Sequence, residues 1–181
     1  MTREYKKIII GDTMPILLET ERLIIKTPEA SDLEHLYALQ TDPDVMKYIF
    51  NGIRTREQIK EKSDQAILHY QKHGFGAGSV YEKSTQNFIG RAGLFYLAYD
   101  DSQPEIELGY SLHKQFWNRG YATEIAKAFL AWGFKNLPVT KLVAVINPKN
   151  DASRHVLEKA GMHYVGRVHC YDTDVDKFEI E

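Results

Sequence analysis

The residues with the clearest chemical meaning form a short segment, Asn118 to Ala122 (NRGYA), between a predicted strand and a predicted helix. Glu105 to His113 has the alternation of a β-strand, and the apolar spacing after the segment favours an amphipathic helix. At such a junction the first backbone N–H groups of the helix have no partner inside the helix. Together with the positive end of the helix dipole they form an anion site, and the anion is most often a phosphate.

This loop alone does not define its ligand. It is not a P-loop, because no Gly-Lys-Ser/Thr follows it. It is not a dinucleotide-binding fingerprint either, because Gly120 is its only glycine. A tight turn, in which Gly120 supplies a backbone conformation that other residues disfavour, is an equally open interpretation. The elements around the loop have to decide between the two.

The chain before the loop predicts an opening strand, two helices and a strand meander. Ile16 to Lys26 is the predicted first strand. Capping-box patterns that begin at Ser31 and Thr55 predict two helices, and the second is expected to stop at Gly74. Three strands separated by polar turns follow, over residues 76–83, 88–96 and 105–113.

The chain after the loop predicts a helix, a buried strand, a second helix and a final strand pair. The first helix ends near Asn136, and Lys141 to Asn147 (KLVAVIN) is apolar on both faces, as in a central strand. A helix over about 151–160 is closed by Gly161, and the strand pair begins at His163. The strands on either side of the first helix are expected to be parallel, joined by a right-handed crossover. Ligands of such sheets bind beyond the carboxyl ends of the strands, where the loop also lies.

The composition indicates an ordinary globular protein. Its 181 residues are 43% hydrophobic and 27% charged, which is enough for one domain with its own core. We therefore expect a single domain over residues 1–181, with a loosely held amino-terminal arm over residues 1–15. The net charge of −2 does not favour a general electrostatic grip on nucleic acid.

The same bulk features bear on location and metal content. No apolar run approaches the roughly 20 residues that span a bilayer, so no membrane partner is expected. The amino terminus, MTREYKKIIIGD, has too short an apolar run for a secretory signal. Cys170 is the only cysteine, which suits a reducing cytoplasm. The seven histidines form no metal-ligand pattern, so no metal is expected.

Four segments, in the same order, resemble segments of one family. They are LLETERLIIKTPEASDLEHLYAL, NFIGRAGLFYL, NRGYATE after a strand ending in GYSL, and INPKNDASRHVLEKAGM. The family is the GNAT (general N-acetyltransferase) superfamily, and the details are most similar to its Rim-type branch of ribosomal-protein N-terminal acetyltransferases. The resemblance covers about residues 16–170. It implies an α+β fold: a mixed, mostly antiparallel sheet with a splayed parallel central strand pair, flanked by helices.

The resemblance also implies that acetyl-CoA is the co-substrate and lies between the two splayed strands. Its pantetheine arm would pair with the backbone of Ser111, Leu112 and His113 like an added strand. Asn147 and Asn150 would orient the pantetheine amides, although Asn150 is equally a candidate helix N-cap. The backbone N–H groups that would bind the diphosphate belong to Asn118, Arg119, Gly120, Tyr121, Ala122 and Thr123.

By the same resemblance, the acetyl group passes to a primary amine, either a protein N-terminal α-amine or a small-molecule amine. Glu107 matches the family's glutamate and is the candidate general base, with Glu105 as the second candidate. A solvent-facing strand position is the alternative for both glutamates. The α-amine, with a reference pKa near 8, demands less of the base than a lysine amine near 10.4.

Two positions depart from the family pattern. Trp117 stands where Gln or Arg is usual at the start of the loop, where the backbone does the binding. Leu157 occupies the place of a tyrosine that serves as general acid in many members. Ser153, one turn into the last helix, is therefore the candidate proton donor to the leaving thiolate. A serine there can instead bond to its own helix backbone.

Two other classes of function remain open at this stage. One is a non-catalytic acyl-CoA-binding sensor or partner module, and the other is a loop that binds a different phosphate ligand such as a nucleotide. The loop over residues 41–54, with Tyr48 and Phe50, and the segment after Cys170 are expected to shape the acceptor side. No motif identifies the amine or the oligomeric state.

Overall fold

The computed structural model describes residues 15–50 and 52–181, so nearly all of the predicted amino-terminal arm lies outside the described residues. The strands are β1 (Ile16–Glu19), β2 (Leu23–Lys26), β3 (Ala77–Glu82), β4 (Phe88–Tyr96), β5 (Ile106–Leu112), β6 (Leu142–Ile146), β7 (His163–Cys170) and β8 (Thr173–Ile180). The helices are α1 (Leu33–Gln40), α2 (Pro43–Met46), α3 (Arg56–His73), α4 (Tyr121–Asn136) and α5 (Asp151–Lys159). Short 3-10 turns cover Ala30–Asp32, Leu97–Tyr99 and Lys114–Phe116.

The strands form one sheet in the order β1-β2-β3-β4-β5-β6-β8-β7. Every neighbouring pair is antiparallel except β5 and β6, which are parallel and joined through α4. These two strands pair at a single point, Glu107 with Val143, and diverge beyond it. The prediction of a mixed, mostly antiparallel sheet with a splayed parallel central pair is confirmed.

Close packing of α4 on the sheet fixes the position of the loop that precedes this helix. Ile125 and Phe129 are fully buried in the main core, and burial of each such side chain stabilises the fold by about 1.5–3 kcal/mol. Gly133 allows the close approach, because a Cβ there would lie 2.7 Å from Leu94 Cδ1 and 2.8 Å from Leu142 Cδ1. The helix is therefore seated directly on β4 and β6.

The predicted first strand over Ile16 to Lys26 is wrong in one respect, because it is a hairpin of two strands. The chain turns between β1 and β2, and β1 pairs antiparallel with β2. Thr20 closes the turn: its N–H donates to Leu23 O at 3.0 Å, and its Oγ1 accepts from Leu23 N at 3.0 Å. The polar stretch at 19–22 favours this turn over a continuous strand.

The helix starts are predicted with mixed success. The Thr55 capping box is confirmed, with Gln58 as its partner, and α3 ends before Gly74 at a φ of 76°. The box predicted at Ser31 is wrong, because Glu29 and Asp32 form it instead and begin the 3-10 turn before α1. The remaining elements agree with the predicted ones to within about two residues at each end, except that residues 41–54, predicted as a loop, contain α2.

Candidate active site

The loop before α4 presents backbone donors that the fold does not use. Gly120 is the N-cap of α4 with a φ of 80°, and no side chain caps the helix. Within residues 15–50 and 52–181, no protein acceptor takes a hydrogen bond from the N–H groups of residues 118–123. Both interpretations of the loop therefore hold together: Gly120 supplies an unusual backbone conformation, and that conformation leaves the donors free for an anion.

The β1–β2 hairpin braces this loop from behind. Arg22 Nη1 donates to Arg119 O at 3.0 Å, and Arg22 Nε donates to Glu124 Oε2 at 2.7 Å. The Arg22 guanidinium also lies over the Tyr121 ring, 4.4 Å from its centroid, while the Tyr121 hydroxyl donates to Glu82. The free N–H groups are thus held in place before any ligand binds.

The edge of β5 beyond Glu107 faces an open gap. His113 N–H donates to Ile89 O at 2.9 Å on the β4 side, so the alternation of an antiparallel ladder directs the Leu112 peptide groups toward the gap. Trp117 Nε1 donates to Leu112 O at 2.8 Å. The Leu112 N–H is the donor that remains for a ligand, and Trp117 ties the loop to the strand.

A cavity of about 230 Å³ extends from this gap to the loops on the other side of the sheet edge. Its wall brings together five of the predicted site residues, namely Glu107, Ser111, Asn147, Asn150 and Ser153. The peptide groups of residues 112–113 and 118–123 lie outside this lining. Leu157 is fully buried and also lines the cavity. Because leucine has no hydroxyl group, this position cannot donate a proton.

Glu107 has the properties of a base poised near neutral pH. Its residue is 5% exposed, and its Oε2 accepts a hydrogen bond from the Tyr171 hydroxyl at 2.5 Å. Burial raises the pKa of Glu107 to about 7, against an opposing effect of the Tyr171 hydrogen bond. A carboxyl group with this pKa accepts protons far better than an exposed glutamate.

Glu105, the second candidate, has a different environment. Its carboxylate accepts from Lys177 Nζ at 2.6 Å and lies 3.4 Å from Lys141 Nζ, and it does not line the cavity. Both lysines contact Oε1 of Glu105, so this carboxylate is part of an ion-pair cluster outside the cavity lining. The structure therefore separates the two glutamates that the sequence paired.

The α5 side of the cavity carries two hydroxyl groups. Ser153 N–H donates to Asn150 Oδ1 at 3.1 Å, so Asn150 does act as a helix N-cap. The Tyr110 hydroxyl is buried and has no hydrogen-bond partner in the described part of the chain. Burial raises the pKa of Tyr110 to about 12, and the neighbouring Ser153 side chain opposes that shift. Tyr110 lies in β5, and no role was predicted for it from the sequence.

The acceptor side is lined by aromatic side chains from separate segments. The Phe50 and Tyr171 rings stack with centroids 5.0 Å apart, and those of Phe95 and Tyr99 stack at 4.6 Å. The loop over 41–54 and the segment after Cys170 meet at this stack, and both were expected from the sequence to shape the acceptor side. Tyr171 opens the two-residue turn between β7 and β8, with a φ of 54°. Sequence reasoning missed it, because nothing local marks a residue 64 positions from the carboxylate it contacts.

Over the described ranges, no group of three or more His, Cys, Asp or Glu side chains is arranged to hold a metal ion. No helix in those ranges is long and apolar enough to cross a membrane. The cytoplasmic location and the single domain remain predictions from the sequence.

The chain matches the acetyltransferase (GNAT) domain family over residues 22–163. A similar sequence is the Bacillus subtilis protein YkkB, 31% identical over 163 residues, which cover 90% of this chain and 94% of YkkB. A more distant relative is the spermidine N(1)-acetyltransferase of Escherichia coli K12, 25% identical, with coverage of 77% of this chain and 72% of that enzyme.

Solved structures resemble the fold over nearly its whole length. An acetyltransferase from Agrobacterium tumefaciens C58 superposes with a TM-score of 0.80 at 24% identity, covering 99% of each chain. The ribosomal L7/L12 α-N-protein acetyltransferase RimL, in complex with coenzyme A, superposes with a TM-score of 0.73 at 15% identity, covering 91% of this chain and 97% of RimL.

Proposed function

The chain belongs to the GNAT family of acetyltransferases, and from that premise we propose that Glu107 is the general base for transfer of an acetyl group from acetyl-CoA to a primary amine. The observation that carries the proposal is a buried carboxyl group with a pKa of about 7, in a cavity that begins at the gap between β5 and β6. N-acetyl transfer is the chemistry of the family; the roles of individual residues and the choice of amine are our proposals.

The free donors fit acetyl-CoA. Residues 118–123 would bind the diphosphate through their N–H groups, which are unused and braced by Arg22. The Leu112 N–H and the amides of Asn147 and Asn150, beside the gap, would bind along the pantetheine arm. Bound acetyl-CoA supplies a thioester carbonyl for attack and a thiolate as leaving group.

Glu107 would accept the proton that the amine must lose. Because Tyr171 occupies Oε2, the other carboxylate oxygen is the one left for the acceptor. Deprotonation of an α-amine at pH 7 costs about 1–1.5 kcal/mol, and a base with a pKa near that pH offsets much of this cost. The neutral amine then attacks the carbonyl, whose oxygen the Leu112 N–H would stabilise.

The hydroxyl groups of Ser153 and Tyr110 are the candidate donors to the departing thiolate. The Tyr110 hydroxyl has no other partner among the described residues, so it is available to donate. Ser153 lies next to it and lowers its pKa relative to burial alone. Together they would serve in place of the hydroxyl that Leu157 lacks.

An assay of CoA release with a panel of amines tests the proposed function. We expect turnover by the wild-type protein, a large loss in Glu107→Gln, and little change in the control Glu105→Gln. Acetyl-CoA should raise the melting temperature of all three proteins, and ATP should not. If acetyl-CoA binds and no amine gives turnover above background, the chain is an acyl-CoA-binding module and the proposal is wrong.

A further inference from the structure

Three cationic side chains line the acceptor side of the cavity: Arg54, Lys62 and Arg91. None of them makes an ion pair with a carboxylate of the described chain, whereas Arg22, Arg56, Arg154 and Arg167 each do. Of the arginines in the described chain, only Arg119 shares this lack of an ion pair, and Arg119 is exposed in the loop before α4. Two half-buried unpaired guanidinium groups therefore lie at this one wall.

The hydrogen bonds of the two arginines go to neutral groups. Arg54 Nη1 donates to Gln40 Oε1 at 2.7 Å, and Arg54 Nη2 lies 3.4 Å from Phe50 O. Arg91 Nη2 donates to the Tyr99 hydroxyl at 2.8 Å. Burial and the charge of Arg91 lower the pKa of Arg54, so the two cations are near enough to repel each other.

Nearby carboxylates do not form ion pairs with these cations. Glu107 lies in the same wall without an ion pair to Arg54 or Arg91, and burial, which favours its neutral form, raises its pKa to about 7. Glu29 and Asp32 lie with Arg91 along a second, small cavity, but within the described chain neither forms an ion pair with it. Half-buried cations without a counter-ion are unfavourable, so the wall favours an anionic ligand.

We propose that the acceptor is a small molecule that carries an anionic group, a carboxylate or a phosphate, in addition to its primary amine. This inference rests on the proposed function, because it assigns the amine of the same molecule to Glu107. Arg54 and Arg91 bind the anion, and a guanidinium fork matches both carboxylate and phosphate geometry.

The contacts place the two ends of such an acceptor in one cavity. Arg54 contacts Phe50, whose ring stacks on Tyr171, and Tyr171 donates to Glu107. Arg91 contacts Tyr99, whose pKa is raised partly by the charge of Glu107. The aromatic rings between the arginines and Glu107 pack on the carbon skeleton of the acceptor. A cavity of about 230 Å³ that must also admit the thioester favours a small molecule.

The proposal excludes polycationic amines as good acceptors. Spermidine carries only positive charge at neutral pH, and the wall would repel it. The relative that acts on spermidine therefore does not predict the acceptor of this chain.

Matched pairs of amines, of which one member carries an anionic group that the other lacks, test the proposal. L-Phenylalanine is compared with L-phenylalaninamide, and O-phosphoethanolamine with ethanolamine. In each pair the partner without the anionic group, called the neutral amine below, has the less basic amino group. A larger fraction of that partner is therefore unprotonated and able to attack. We expect kcat/KM to favour at least one anionic partner by about 10-fold or more, and spermidine to be the poorest substrate. The pair with the larger ratio distinguishes a carboxylate site from a phosphate site.

Substitution of the arginines connects the preference to this wall. Arg54→Gln and Arg91→Gln should each lower the ratio of kcat/KM between the anionic amine and its partner by about 10-fold or more. Arg54→Lys, which keeps the charge and loses the fork, should retain part of the preference. Arg56→Gln is the matched control, because Arg56 pairs with Glu34 at the surface outside the cavity.

A binding measurement separates this inference from the proposed function. With CoA present, 3-phenylpropionate or inorganic phosphate should stabilise the wild-type protein against heat and should not stabilise the Arg54→Gln, Arg91→Gln double variant. Turnover of neutral amines equal to that of their anionic partners, with no such stabilisation, overturns the anionic acceptor alone. Absence of turnover with every amine overturns the proposed function and this inference with it.

Discussion

The two ends of the cavity bind by different means. At the cofactor end the donors are backbone N–H groups at the start of one helix, Arg22 is paired with Glu124, and Arg119 is exposed to solvent. At the acceptor end the polar groups are side chains from several separate segments, and its arginines have no carboxylate partner in the described chain. The first end needs a backbone shape, whereas the second needs particular side chains.

This difference teaches where the chain can vary. A site of backbone donors tolerates many side chains, which is why Trp117 can stand at an unusual place in the loop. A site of side chains changes its ligand when one residue changes. We therefore expect substitutions at the cofactor end to act through backbone conformation, and those at the acceptor end to act through charge and proton transfer.

The largest effect is expected for Glu107→Gln. Loss of the base should lower kcat/KM by about 10²- to 10⁴-fold and leave the affinity for acetyl-CoA unchanged. The wild-type kcat/KM should rise with pH to a plateau above about 7, because only the deprotonated carboxylate accepts the proton. The rise of kcat/KM with a pKa near 7 should be absent from the pH profile of Glu107→Gln. A variant within 3-fold of wild type would contradict the assignment of the base.

The same substitution should stabilise the fold at alkaline pH. The pKa of Glu107 is about 7 in the folded state against 4.5 for an unperturbed glutamate, so the folded state holds the proton more tightly. The wild type therefore loses stability as the pH rises from about 4.5 through about 7. In urea unfolding at pH 8, Glu107→Gln should gain up to about 3 kcal/mol, and the gain should vanish near pH 4.5. A gain that does not depend on pH would refute the burial of an ionising carboxyl.

Next in size is the removal of the hydroxyl groups on the α5 side. Tyr110→Phe and Ser153→Ala should each lower kcat by roughly 10-fold if they donate to the thiolate. Tyr110→Phe should not destabilise the protein, because its hydroxyl is buried without a partner in the described chain. A loss of stability without a loss of kcat would instead indicate a structural role.

Gly120→Ala tests the cofactor end. Gly120 has a φ of 80°, where an alanine costs about 1–2 kcal/mol, so the loop should relax and the KM for acetyl-CoA should rise roughly 5- to 30-fold. Gly74→Ala is the control, because Gly74 has a φ of 76° at the end of α3, outside the cavity lining. It should lose similar stability with no change in that KM. If Gly120→Ala and Gly74→Ala change the KM for acetyl-CoA equally, the loop before α4 does not bind the cofactor.

The smallest effect is expected for Lys114→Ala. Lys114 is exposed and pairs with Asp44 at 2.7 Å, and such surface pairs contribute about 0–1 kcal/mol. Because backbone donors bind the diphosphate in our proposal, the KM for acetyl-CoA should change by less than about 3-fold at physiological salt. A change above 10-fold would mean that side-chain charge, and not the backbone, holds the cofactor.

The sequence predicts the elements on either side of the loop before α4 well because their signals are local. A strand, a glycine turn and an amphipathic helix follow one another within 32 residues, from Glu105 to Asn136, and the structure keeps all three. Glu107 was predicted as the candidate base from the family resemblance, which distinguishes it from Glu105 in the same strand. Its raised pKa was beyond prediction, because burial depends on what packs around the carboxyl group.

The acceptor end was predicted only as two segments that meet. No sequence pattern marks Arg54, Arg91 or Tyr171. Tyr171 is important because it contacts Glu107, 64 residues away, and the two arginines because they line the cavity without a carboxylate partner in the described chain. The hairpin at Thr20 and the helix start at Glu29 were missed for a related reason. In both places the side chain that closes the turn, Thr20 or Asp32, lies in a stretch of several polar residues, any of which could have that role.

The turns that carry the acceptor-side tyrosines use residues poorly suited to their backbone. Tyr171 and Asp172 have φ values of 54° and 59°, and Ala98 and Tyr99 have 56° and 58°, where Asn and Gly are preferred. Each such residue forgoes about 1–2 kcal/mol. Consensus turn engineering, such as Asn-Gly at 171–172, should therefore raise the melting temperature. It would also remove the Tyr171 hydroxyl group that donates to Glu107, so in this hairpin a gain in thermal stability is expected to lower turnover.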